Sequence, residues 1–243
     1  MKDILNDIIQ NVSAIESIDL IKVVGTDKET TVSAVSEDKS VIVVGTLKNP
    51  HPEFIGVFGM PNLSKLKTIL SFEDYDENAN IYINKKLENN ESVPDSIHFE
   101  TKNGDFINEY RFMLKSIVED KIGQIKIHLN SWNIEFEPSV ASISRLKRQA
   151  SANSEQDTFK TTTENGDLKV YFGDPSTHNG NFVFQSGVQG TLTNSWRWPV
   201  KQIITVLNLA GDKTMKISNQ GAIEITVDTG LTVYRYLFPA HTK

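Results

Sequence analysis

Residues 133–174 read NIEFEPSVASISRLKRQASANSEQDTFKTTTENGDLKVYFGD, and this one stretch contains the plan of the chain. NIEFEP alternates like a short strand. Residues 139–152 then carry a helical pattern: at about 100° per residue, Ile143, Leu146 and Ala150 cluster on one side and Arg145 and Arg148 fall opposite, with Lys147 flanking the apolar stripe. Two Thr- and Val-rich runs follow at 157–163 and 167–173, joined by Asn165-Gly166, the dipeptide that best suits a tight hairpin. The predicted order is strand, helix, antiparallel strands.

The same order recurs on both sides. At the amino terminus Ile4, Leu5, Ile8, Ile9 and Val12 form one buried helix stripe, leaving Asp3, Asn6, Asp7, Gln10 and Asn11 outward. Strands are expected at 18–24, 30–36, 40–47 and 53–58, separated by turn-rich GTDKE, SEDK and KNPHP. In MPNLSKLKTIL, Leu63, Leu66 and Leu70 make a second helical stripe, with Lys65 outward and Lys67 at its flank. Further strands are expected at 79–87, 96–102 and 105–114, the last two joined by Asn103-Gly104. Beyond the opening stretch come a strand at 181–187, SWRWP, and the helix PVKQIITVLNLAG, expected to bury Val200, Ile203, Ile204 and Leu207 and to close at Gly211. Strands at 213–219, 221–228 and 231–238 finish the chain, with Ile223, Ile225 and Val227 on one face. These elements predict an α+β protein of four helix-plus-strands units, two per half. The expected division is a domain over 1–115, a connector over 116–131 and a second domain over 132–243.

Charge is segregated. The 243 residues carry a formal net charge of -6, but residues 1–128 hold 14 Lys/Arg against 21 Asp/Glu (-7), whereas 129–243 hold 11 against 10 (+1). Such a chain does not coat nucleic acid with its whole surface, yet it can keep one basic face on an acidic body. Apart from the first helix, the outward helix positions are basic, amide or hydroxyl, and the acids gather in loops such as FEDYDENAN. No cysteine is present, which excludes disulfides and thiolate chemistry. The start MKDILNDIIQNVSAIES does not read as a signal peptide and no run of 18 apolar residues occurs, so a soluble, cytoplasmic protein without membrane contact is expected.

Catalytic constellations fail one by one. Asp74, Asp76 and Asn78 have the first spacings of a calcium loop, but Ala79 stands where Gly is needed and Lys85 where the bidentate Glu belongs. His51, His98, His128, His178 and His241 are scattered, without metal-ligand or triad spacing. No phosphate-cradling glycine motif occurs. Trp196 and Trp198 share one strand face, where core packing is the expected use. No enzyme activity, cofactor or metal is expected.

Taken together, DILNDIIQNV, GMPNLSKLKTILSF, NIEFEPSVASISRLKRQASAN, TFKTTTENGDLKVYFGD, PVKQIITVLNLAG and the terminal LTVYRYLFPA resemble, in order and spacing over nearly the whole chain, the sliding clamps (DNA polymerase processivity factors) of large tailed bacteriophages. The resemblance implies two similar clamp domains, antiparallel sheets outside and helices on one inner face. Three subunits would close head to tail as a homotrimer around duplex DNA, in the host cell cytoplasm if the source is a phage. It implies an ATP-dependent clamp loader and the DNA polymerase as partners, with late-transcription factors in addition. Carried over, the DNA-facing positions are Lys2, Lys65, Lys67, Arg145, Lys147, Arg148 and Lys201, and partner peptides dock near Ile117, Val118, Ile125, Ile127, Phe238 and Pro239. Asp3 and Asp7 depart from the expected basic lining of the first helix. The competing classes are a β-rich virion structural or adaptor protein and an enzyme of unrecognised type.

Overall fold

The computed structural model describes every residue except 89–90, 126–130, 177 and 242–243, together with all side chains but those of 88 and 91 in the described strands. The chain divides into two compact units, the first holding residues 1–126 with 229–234, the second 127–228 with 235–243.

In the first unit α1 (Lys2–Val12) is followed by β1 (Leu20–Gly25), β2 (Thr30–Val35) and β3 (Ile42–Leu47). A 3-10 turn at Pro52–Phe54 leads to β4 (Gly56–Pro61), α2 (Leu63–Leu70), β5 (Asn80–Glu88), β6 (Glu91–Glu100), β7 (Ile107–Arg111) and α3 (Lys115–Lys121). The second unit has β8 (Ile134–Phe136), α4 (Val140–Ala152), β9 (Thr158–Glu164), β10 (Asp167–Gly173), β11 (Asn179–Gln185), β12 (Arg197–Pro199), α5 (Val200–Leu207), β13 (Asp212–Ser218), β14 (Ala222–Asp228) and β15 (Thr232–Pro239). The first three residues of β15 belong to the first unit.

Each of α1, α2, α4 and α5 is followed by a run of three antiparallel strands, and the strand just before α2, α4 and α5 joins the first strand of another run. Thus β4, ahead of α2, pairs with β1; β12, ahead of α5, pairs with β9; β8, ahead of α4, pairs with β13. The sheet orders are β4-β1-β2-β3, with the start of β15 beside β3, and β5-β6-β7 in the first unit; the second has β11-β10-β9-β12 and β15-β14-β13-β8. This alternation makes a clean inward face. On β2 and β3, Val32, Ala34 and Val43 are fully buried. On the helices, Leu5, Ile8, Ile9 and Val12 of α1 and Leu63, Leu66 and Leu70 of α2 are buried as the stripes require. Truncating a core leucine such as Leu66 would cost about 2–5 kcal/mol. The hairpin at Asn165-Gly166 has both φ angles positive, 54° and 81°, the backbone that a two-residue turn matched to strand twist needs.

Three expectations are corrected. The strand placed at 53–58 starts only at Gly56, because Pro52–Phe54 forms a 3-10 turn in which His51 Nδ1 accepts from Glu53 N at 3.3 Å. Helix α5 stops at Leu207, capped by Asn208; Gly211 (φ +116°) instead begins the next hairpin, where a Cβ would lie 2.3 Å from Asp228 O. Within the segment read as irregular, residues 116–121 at the start of the expected connector form, with Lys115, the helix α3, whose Val118 is buried against Gly59. Trp198 is a core residue as its alternation suggested: it is fully buried and donates from Nε1 to Thr161 Oγ1 at 2.8 Å. Among the described residues no helix is long and apolar enough to cross a membrane, and no group of three or more His, Asp or Glu is arranged to hold a metal ion.

Candidate nucleic-acid interface

Helix α4 is built to present its cations. Ser139 caps it, its Oγ accepting from Ser142 N at 3.1 Å, and Asn153 Nδ2 donates to Gln149 O at 2.8 Å at the far end. Ser142 and Leu146 are its buried residues, with Ile143 and Ala150 half-buried beside them. The helix lies on β11, where Gly180 lets the strand backbone approach Gln149. Arg145, Lys147 and Arg148 are all exposed, so the flanking position read for Lys147 does not withdraw it from the surface. No acid occurs between Val140 and Ala152, and no described carboxylate forms an ion pair with these three.

Within its unit α4 packs beside α5, which exposes Lys201. In the other unit α1 packs beside α2, which exposes Lys65 and Lys67, and the sequence LSKLKTIL is likewise free of acids. The outward faces of α2, α4 and α5 therefore carry cations and no acid. Long, hydrated ammonium and guanidinium groups on such faces neutralise phosphates without reading bases, because a phosphate contact carries no sequence information.

The first helix departs from the sequence reading at Asp7 and Asn11. Lys2 is half-buried and its Nζ donates to Tyr75 O of its own unit. Asp7 and Asn11, read as outward, are buried. Asp7 Oδ2 accepts from Tyr234 OH at 2.8 Å, and Asn11 Nδ2 donates to Asp7 O at 2.8 Å. Only Asp3 remains as an exposed acid on α1, so the negative departure expected on this face is half as large. Nothing local in the sequence signals this arrangement, since Asp7 and Tyr234 are 227 positions apart.

The residues expected to dock partner peptides scatter by burial. Ile117 and Pro239 are exposed and Ile125 is half-buried, whereas Val118 and Phe238 are fully buried and present no surface to a peptide; Ile127 lies outside the described residues. The first unit has instead a cavity of about 630 Å³, lined among others by Asp19, Leu20, Val35, Pro61, Met113 and Ile122. Its connector wall is pinned from below: the buried Lys22 donates from Nζ to Ile122 O at 2.9 Å and Gly123 O at 3.0 Å, closing the carboxyl end of α3 with a positive charge. On its far side Tyr110 OH donates to Pro61 O, and burial, with nearby Asp19 adding to it, pushes the Tyr110 phenol well above its ordinary range. These groups come from four separate stretches of sequence, which is why no single motif announced them.

No protein-family model matches the chain, and no curated protein matches it by sequence. Solved structures do. One is the C-terminal region of FEN-1 bound to A. fulgidus PCNA, with TM-score 0.69, 10% identity, and 100% of this chain and 96% of that chain covered. Another is the Proliferating Cellular Nuclear Antigen of Entamoeba histolytica, with TM-score 0.69, 13% identity, and 98% and 96% covered. At these identities the likeness is one of fold, and it extends from end to end. The chain has the sliding-clamp fold: helices paired beside antiparallel sheets, twice over.

Proposed function

We propose that this protein is a DNA sliding clamp, a non-enzymatic ring of three copies that encircles duplex DNA and tethers the replicative polymerase. The observation that carries the reading is the polarity of the helices: in a chain of net charge -6, the exposed faces of α2, α4 and α5 hold Lys65, Lys67, Arg145, Lys147, Arg148 and Lys201 and no acid. These six are the proposed DNA-facing residues. A tether must slide, so it needs many weak phosphate contacts and no base-specific hydrogen bonds, which would hold it at one sequence. Lysine and arginine on short, rigid helices meet that need.

Sheet topology suggests how copies join. Strand β3, third in its run, lies beside β15, third in its own. Strands β11 and β7 are third in the two remaining runs and are sheet edges. Pairing β11 of one copy with β7 of the next repeats the β3 and β15 relation head to tail, removes both edges, and covers the exposed Phe106 and Ile107 at the start of β7. An ATP-dependent loader must then open the ring. A carboxyl-terminal segment of a partner, as the C-terminal region of FEN-1 is bound by the A. fulgidus protein, is proposed to seat at the cavity beside α3, with Ile117 of α3 as a further contact. A bacteriophage source, a place in the host cytoplasm and a part in late transcription complete the reading.

Sedimentation equilibrium tests the assembly. A mass near three times 27.3 kDa is expected. A monomer at high concentration would remove the ring, and a large open polymer would favour a virion structural role.

A further inference from the structure

The outer face of the sheet β11-β10-β9-β12 carries one polar row in register. Asn181, Tyr171, Lys160 and Arg197 stand opposite one another on the four strands, while the buried Phe159, Phe172 and Trp198 alternate to the other face. Over this row opens a cavity of about 330 Å³, lined among others by Lys160, Thr162, Tyr171, Asn179, Asn181 and Ser195. That volume lies at the lower end of the range in which proteins hold small molecules. The rim is fixed by its own backbone. Gly173 (φ +72°) turns the chain so tightly that a Cβ would lie 2.2 Å from His178 O, and Asp174 Oδ1 then accepts from Ser176 N at 2.9 Å, which sets Pro175 in the wall.

The polar groups of this cavity are unequally committed. Glu164, also in the lining, has its charge compensated: it accepts from Lys169 Nζ at 2.7 Å, from Tyr171 OH and from Thr162 Oγ1 at 3.3 Å, and the Lys169 bond first of all holds its carboxyl below the ordinary range. The same carboxylate orients the Tyr171 ring. Lys160 and Arg197 make no ion pair or side-chain hydrogen bond with a described residue. Their fields do converge on the rim, where the Ser176 hydroxyl first, and the two cations after it, keep the Asp174 carboxyl below its ordinary range. Asn179, Asn181 and Ser195 likewise make no side-chain hydrogen bond to a described residue.

We infer that this cavity binds a nucleoside monophosphate. A phosphate monoester carries about one and a half to two negative charges at neutral pH and presents three acceptor oxygens, which match an ammonium and a guanidinium held opposite each other on adjacent strands. A carboxylate brings a single charge to the same pair of cations. The remaining groups suit a nucleoside. Tyr171 supplies an oriented aromatic ring on which a base can stack, Asn179 and Asn181 each offer an amide donor and acceptor to a base edge, and the hydroxyls of Thr162 and Ser195 suit those of a sugar. The ladder edge of β11 takes no part, so the inference does not rest on the ring.

The full chain is titrated by calorimetry with adenosine and uridine monophosphate, and in parallel with inorganic phosphate, ribose 5-phosphate and adenosine, while backbone amide shifts locate the ligand. At least one nucleotide is expected to bind at least tenfold more tightly than phosphate, ribose 5-phosphate or adenosine, and to move the amides of 160–164, 171–175 and 179–181. Lys160→Ala with Arg197→Ala is expected to weaken that binding at least tenfold. Asn181→Asp, which adds a negative charge beside the phosphate, is expected to do the same with thermal unfolding unchanged, and it decides alone if the paired variant fails to fold. The inference is overturned if neither nucleotide binds, if inorganic phosphate or ribose 5-phosphate binds as tightly, if the shifts fall on α2, α4 or α5, or if a folded variant binds like the wild type.

Discussion

Replacing Arg145 and Arg148 together by alanine removes two exposed guanidinium groups that make no ion pair with any described residue. If they contact phosphates, each lost contact lowers the slope of log affinity against log salt by about 0.9. Between about 50 and 200 mM salt one contact changes affinity by roughly 3.5-fold, so two change it by roughly tenfold for each copy engaged with DNA. The wild-type protein should therefore bind a short linear duplex more tightly at low salt, and the two titrations should converge as salt rises. Fluorescence anisotropy of a labelled duplex across that range reads the slope directly. Thermal unfolding should stay within about 0.5 kcal/mol of wild type, as for most exposed substitutions. Parallel salt plots would refute a phosphate role for α4, and a large loss of stability would make the two arginines structural.

Other consequences concern the groups that the structure buries. Tyr234→Phe takes a hydrogen bond from the buried Asp7 carboxylate and should cost about 1–3 kcal/mol in urea unfolding, whereas an outward Asp7 would make it neutral. Lys22→Met releases the carbonyls of Ile122 and Gly123; faster amide exchange over 115–123 is expected, and unchanged exchange would show that α3 holds without the ammonium. His51 is held below its ordinary range by burial first, and its Nδ1 accepts a backbone hydrogen bond only when neutral. Its contribution to stability is thus fully present above the unfolded value, about pH 6.5, and is lost as pH falls through the lower folded value. His51→Gln should flatten the stability profile across that acid window, and an identical profile would contradict the assignment.

Helices α1, α2, α4 and α5 were legible because a buried stripe at 3.6-residue spacing is a local property: Leu63, Leu66 and Leu70, or Leu146 between two exposed arginines, announce themselves. Asn165-Gly166 likewise carried its turn in two residues. What stayed hidden depends on partners distant in sequence. Asp7 lies on the flank of its helix, and only Tyr234 decides that it points inward. Lys22 looks like an ordinary strand lysine until α3 crosses it. The short strand β12 has three residues, too few to show a period, and the pairing of the strands ahead of α2, α4 and α5 with the first strand of another run emerges only from the ladder.

The central claim is topological, and retention on DNA of different shape tests it most directly. After loading by a clamp loader and removal of free protein, the chain should stay on a nicked circular duplex through a high-salt wash and leave within seconds of linearisation. Equal retention on circular and linear DNA, or loss from both at the same salt concentration, would contradict a ring that holds DNA by enclosing it.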